Sequence, residues 1–131
     1  MLMIPLTHII FYLATLFLPN GTTKFTVTSG NDQKITWVHQ TDGAWQATTE
    51  DGKDAGVWSA DGFVVSVTTQ DVTSKTDVSE FVKTVTTLEN KKMVTILGNA
   101  VAVSSSASTI TFSQAENGVF AKPLVITYSS Q

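Results

Sequence analysis

The chain has 131 residues, of which 42% are hydrophobic and 15% are charged, and its net charge is −3. This balance is typical of a single globular domain and excludes an intrinsically disordered chain. The eight basic residues are all lysines, so the arginine-rich surface of a typical nucleic-acid-binding protein is excluded. The absence of cysteine excludes disulfides, a thiol nucleophile and thiolate metal sites.

The first 18 residues, Met1–Leu18, contain no Asp, Glu, Lys or Arg. The run Ile9–Leu18 has the length of a signal-peptide core, and Pro19-Asn20-Gly21 marks its end. An uncleaved anchor is the alternative, although 18 residues are few for a membrane span. A buried core helix is least favoured, because the run has no polar face. We therefore expect residues 1–21 to be a signal peptide or N-terminal membrane anchor, and residues 22–131 to form a single β-rich domain.

Three Asp-Gly pairs recur at nearly even spacing in the next part of the chain. Asp-Gly between alternating apolar and polar residues is a strong signal for a two-residue hairpin turn. The pairs predict an antiparallel meander of four strands, roughly Lys34–Thr41, Ala44–Glu50, Lys53–Ala60 and Phe63–Thr69.

Two-residue loops would place Trp45 opposite Trp58 across the middle turn. They also predict one core face for the meander, made of Val38, Trp45, Ala47, Trp58, Phe63, Val65 and Val67. The opposite face is partly apolar, and it is either covered by another element or exposed as a binding patch. The candidate binding residues on that face are Ile35, Trp37, His39, Val57 and Val64.

The stretch 77–89 is ambiguous. Asp77 and Glu80 resemble a capping box, and apolar residues follow at helical spacing, which favours a short helix. The threonines in this stretch favour the alternative, a strand over Phe81–Leu88. Further short strands follow up to Ser129, around turns at Gly98-Asn99 and Asn117-Gly118. The predicted fold is mainly β, an antiparallel meander forming a sandwich or barrel, with one short helix near residues 77–89.

No recognisable catalytic motif accompanies this fold. His39 is the only histidine after the N-terminal segment, and the nucleophile elbow G-x-S-x-G is absent. Glu50, Asp51 and Asp54 cluster around one turn, but not in the order of a calcium-binding loop. The sequence therefore predicts no catalytic residue, no metal site and no cofactor.

These observations favour an exported, non-enzymatic binding or interaction module in the cell envelope or outside the cell. We expect its partner to be a protein, a glycan or a surface component. Nucleic acid is not expected, and membrane contact is expected only through the N-terminal segment if it stays uncleaved. A calycin-like carrier of a small apolar ligand is the alternative, and a small carboxylate-dependent hydrolase is the third hypothesis. A carrier needs an open cavity, whereas a sandwich fills its core.

Overall fold

The computed structural model describes residues 6–29, 34–88, 91–96, 99–114 and 123–130. Their secondary structure is one helix and eleven strands. In chain order these are α1 Leu6–Phe17, β1 Lys24–Ser29, β2 Ile35–His39, β3 Trp45–Thr49, β4 Asp54–Asp61, β5 Val64–Thr69, β6 Val72–Asp77, β7 Val82–Leu88, β8 Lys91–Ile96, β9 Asn99–Ser105, β10 Thr109–Gln114 and β11 Leu124–Ser129.

All eleven strands belong to one antiparallel sheet in the order β6-β5-β4-β3-β2-β1-β11-β10-β9-β8-β7. The two halves, β1–β6 and β7–β11, are both meanders, and they join where Phe25 of β1 pairs with Tyr128 of β11. The prediction of a mainly β, antiparallel meander is therefore confirmed.

The sheet is strongly curled, although its edge strands β6 and β7 are not paired in the described part of the chain. Only residues 78–81 connect Asp77 at the end of β6 to Val82 at the start of β7. Five peptide steps span at most about 18 Å, so the two edges must come close together. The architecture is that of a barrel left open along one seam.

Helix α1 packs against the inner face of this sheet, and the two together form the hydrophobic core. Its residues Ile9–Ala14 are all buried. The ring centroid of Phe11 is 6.2 Å from that of Phe25, 5.8 Å from that of Trp37 and 5.4 Å from that of Trp58. In the structure this segment is thus part of the folded core, which differs from the expectation that it lies outside the domain. Removal of residues 1–21 by a peptidase remains a prediction.

The all-round apolar character of α1 has a physical reason in this arrangement. At about 100° per residue, six consecutive buried positions pass all the way round the helix axis, so the helix is surrounded and needs no polar face. In the part of the chain that the structure describes, no helix is both long and apolar enough to cross a membrane.

The pairing of Trp45 with Trp58 is confirmed, but the first predicted register is wrong by one residue. Trp37 pairs with Ala47, because Gln40 and Ala44 close a three-residue loop with Gly43 at φ +92°. An odd loop length inverts the faces of β2. Trp37 is therefore buried in the core, whereas Val38, predicted to be in the core, is 40% exposed.

The third turn shifts the register by two residues and so preserves the faces. Asp61 pairs with Val64, and the loop is Gly62-Phe63. Val65 stays in the core as predicted, but Phe63 lies in the turn and is exposed. Its ring stacks on that of Tyr12 of α1, with centroids 5.5 Å apart.

The prediction of a helix over residues 77–89 is corrected. Val78–Phe81 form a tight turn, in which the backbone N–H groups of Phe81 and Val82 donate to the carbonyl of Val78. The carboxylate of Asp77 accepts the N–H of Ser79 and so caps this turn, which is followed by strand β7 and not by a helix. Strand β7 begins at Val82, as its β-branched residues favour. Residue 89, Gly98 and the Asn117-Gly118 turn lie outside the described residues.

The inverted face of β2 gives a direct stability test. Trp37→Ala removes a fully buried side chain and should lower the free energy of unfolding by about 3–5 kcal/mol. Val38→Ala, on the other face of the same strand, should change it by less than about 1 kcal/mol. Urea unfolding of both variants measures the difference. If Val38→Ala lowered the free energy of unfolding more than Trp37→Ala does, the result would support the register expected from two-residue loops instead.

Candidate functional site

A groove opens where the N-terminal end of α1 meets strands β2, β3 and β4. Its volume is about 780 Å³, and we call it the end groove. Its apolar and aromatic lining includes His8, Ile35, Ala55 and Trp58, and its charged lining consists of Lys34, Glu50 and Asp51.

A β-bulge in β4 shapes the wall of the end groove. Gln46 pairs with Val57, and Thr48 pairs with Asp54. Two residues of β4, Ala55 and Gly56, therefore lie opposite the single residue Ala47 of β3. Gly56 has φ +99°, a conformation that glycine tolerates and other residues rarely adopt.

The bulge compensates for the loop beside it. The N–H of Thr49 donates to the carbonyl of Lys53, which closes a three-residue loop with Gly52 at φ +86°. This odd loop length would invert the faces of β4, but the extra residue at Gly56 restores them. Trp58 therefore returns to the core face opposite Trp45.

Side-chain hydrogen bonds hold the bulge in place. One carboxylate oxygen of Asp54 accepts the backbone N–H of Gly56 and the side-chain amide of Gln46, both at 2.8 Å. The indole N–H of Trp58 donates to the carbonyl of Ala55 at 2.9 Å. The ring of Trp58, which is buried, lies 4.9 Å from the ring of His8 across the groove wall.

The electrostatics of the groove favour fixed charges on the rim and a neutral imidazole. The hydroxyl of Thr49 donates to Asp51 and is the main reason that the pKa of this carboxyl is lowered. The N–H of Gly56, followed by the amide of Gln46, lowers the pKa of Asp54. Burial lowers the pKa of His8 below its ordinary value, which favours the neutral imidazole.

A second, smaller groove of about 300 Å³ lies at the other end of α1. Its lining includes Leu18, Pro19, His39 and Trp45. The rings of His39 and Trp45 meet edge to face, with centroids 4.8 Å apart. The helix thus occupies the space between two openings.

The five predicted binding residues do not share one surface. Ile35 and Trp37 are buried on the inner face of the sheet, and Ile35 contributes to the end groove. His39 lies at the opposite groove. Val57 and Val64 lie on the outer face of the sheet, by alternation from the buried Trp58 and Val65. The prediction placed all five residues on one face because it took the loop before β3 to have two residues, whereas this loop has three.

Of the residues that line the end groove, Ile35 alone was among the predicted binding residues. The apolar and aromatic lining residues that the prediction missed are His8, Ala55 and Trp58. His8 falls in a segment that was assigned to a signal or anchor, and Trp58 was assigned to the core. Nothing in the local sequence distinguishes Ala55 as a bulge residue except the glycine that follows it. Among the described residues, no group of three or more His, Asp or Glu side chains could hold a metal ion.

Comparisons with protein-family models, with curated proteins and with solved structures find no match in any of the three.

The bulge gives a second stability test. In Gly56→Ala the added Cβ would lie 2.9 Å from side-chain atoms of both Thr69 and Val67, at a strained φ. We expect a loss of about 2–4 kcal/mol in the free energy of unfolding. Gly43→Ala is the matched control: its φ is similar, +92°, but a Cβ there meets nothing within 4 Å, so about 1–2 kcal/mol is expected. Equal losses in urea unfolding would show that the bulge is not tightly packed.

The carboxylate of Asp54 gives a pH test. Its pKa is lower in the folded chain than in the unfolded chain, so its stabilising effect is present at neutral pH and is lost as the pH falls below about 4. Asp54→Asn removes this titration. The fall in the urea midpoint between pH 7 and pH 3 should therefore be smaller in Asp54→Asn than in the wild type. An unchanged fall would contradict the role given to this carboxylate.

Proposed function

We propose that the protein is a non-enzymatic binding module and that its end groove binds a small, partly apolar molecule. The volume of the groove, about 780 Å³, is the observation that carries the proposal. Pockets for small ligands fall at about 300–1,000 Å³ and combine an apolar lining with a few polar groups. The end groove has this composition, with Ile35, Ala55 and Trp58 on its lining and charged side chains beside them.

Hydrogen bonds stabilise the charged form of two carboxyl groups in or beside the groove. They lower the pKa of Asp51, which lines the groove, and the pKa of Asp54, which lies next to it at the bulge. These two carboxylates are suited to orienting a ligand or to holding the bulge.

The calycin-like carrier differs from this proposal in where the ligand lies. A carrier would enclose its ligand inside the barrel, but α1 occupies that interior, with Phe11 fully buried among aromatic rings. Space remains at the ends of the helix, which favours an open groove as the site.

The cellular location remains part of the proposal. The apolar N-terminal segment is the observation that supports action in the envelope or outside the cell. A protein, glycan or surface component is the expected larger partner. The outer-face residues Val38 and Val57 are its best candidates for contact, since the register aligns them on either side of Gln46 and both are exposed.

Titration with N-phenyl-1-naphthylamine, an uncharged fluorescent probe, tests the site. We expect saturable 1:1 binding to the full chain, with energy transfer from tryptophan. Ala55→Leu extends a side chain at the groove and should weaken binding at least about tenfold, equivalent to about 1.4 kcal/mol.

Ala60→Leu is the matched control, because Ala60 is an exposed residue of the same strand and does not line the groove. It should bind the probe as the wild type does. Circular dichroism melts establish that both variants fold. Equal affinity of the Ala55→Leu variant and the wild type, or uptake without saturation, would remove the end groove as the binding site.

A further inference from the structure

We propose that the inner face of the sheet is a receptor for an apolar helix of about three turns, which the chain's own residues Leu6–Phe17 fill in this structure. This surface shares Trp58 with the end groove, but the proposal does not rest on ligand binding there. The bound helix itself shows the shape and the chemistry that the receptor accepts.

The receptor takes contacts from both halves of the sheet. On one side, Phe11 of the helix meets Phe25 of β1, Trp37 of β2 and Trp58 of β4. On the other side, the ring of Phe17 lies 5.6 Å from that of Phe112 of β10. The helix is therefore enclosed by the sheet as in a channel. A flat surface would cover one side of a helix and could not bury six consecutive residues.

The receptor selects against charge. Among the described residues, the only buried side chain that is polar or charged is that of Thr22, in the turn after the helix. A charged side chain on the bound helix would therefore be desolvated without a partner, which is strongly unfavourable. The expected partner has about twelve consecutive uncharged residues with an aromatic side chain near the middle.

The connection between helix and sheet is short and exposed. Pro19, Asn20 and Gly21 are all exposed, and the turn is closed by the backbone N–H and hydroxyl of Thr22, which donate to the carbonyl of Pro19. A cut in this turn would leave the contacts of the helix intact. It is also where the sequence predicts the end of a signal peptide.

Cleavage there would turn an internal contact into a binding site. Loss of the helix would uncover a continuous apolar surface that includes Phe25, Trp37, Trp58 and Phe112. Exposed apolar patches of this kind mark interaction sites, and a helix laid into an apolar groove is a recurring mode of recognition.

The experiment starts from the folded full chain carrying a protease site between Asn20 and Gly21. After cleavage, the protein is unfolded in urea and separated from its own released peptide. The fragment 21–131 is then refolded by dilution, either alone or with an excess of a labelled synthetic peptide of residues 1–20. Three peptides are compared: the natural sequence, Phe11→Asp and Leu16→Asp. Leu16 is exposed on the helix, so Leu16→Asp is the control for a general loss of hydrophobicity.

The natural and Leu16→Asp peptides should elute with the 21–131 fragment at 1:1 in size exclusion and raise its urea midpoint. Phe11→Asp should bind at least about tenfold more weakly, because it buries a charge. The proposal is overturned if the fragment refolds to the same midpoint without any peptide. It is equally overturned if all three peptides bind alike, or if the fragment aggregates whichever peptide is present.

Discussion

The contact between Phe11 and the aromatic rings of Phe25, Trp37 and Trp58 is the interaction on which the rest of the structure depends. An antiparallel sheet with one apolar face needs a second layer to cover that face. Here the sheet curls around a single helix, and its edge strands are joined by only four residues. Burial of one large apolar side chain contributes about 1.5–3 kcal/mol, and α1 buries six residues in succession. The helix is therefore the element that closes the core.

Whether a loop has an odd or an even number of residues decides which side chains of the next strand face that core. A three-residue loop before β3 places Trp37 inside, and a second one before β4 would by itself turn Trp58 outward. The extra residue in β4 cancels this inversion. Asp54 holds the resulting bulge through Gly56 and Gln46, and the bulge brings Ala55 to the end groove. Core packing and groove shape thus depend on the same few hydrogen bonds.

Much of the fold could be predicted from composition and turns. The Asp-Gly pairs located the turns of the first meander, and the alternation of apolar and polar residues between them indicated strands. Loop length could not be predicted in the same way, because Gly43 and Gly52 fit the positive φ of either a two-residue or a three-residue loop. One residue of difference was enough to move Trp37 from the expected binding face to the core.

The N-terminal segment was ambiguous for a different reason. A helix surrounded by protein and a helix destined for a membrane both need apolar residues on all sides, so local sequence does not separate them. The helix expected over 77–89 is absent because Val78 and Phe81 are buried side chains of a tight turn. Their separation of three residues is the same as that of neighbouring apolar residues on one face of a helix. The end groove could not be predicted, since it joins residues from α1, the start of β2 and the bulge of β4.

The proposed receptor links the folding of the sheet to the helix that fills its inner face. Residues Leu6–Phe17 fill that face in this structure. Whatever withdraws the helix must offset the free energy of its burial among Phe25, Trp37 and Trp58, and anything that binds the vacated face lowers that requirement by mass action. On the proposal of a helix receptor, a chain that retains α1 is closed by its own helix. A chain that loses α1 presents an apolar face that another apolar helix fills, so the same contacts determine its stability and its partner.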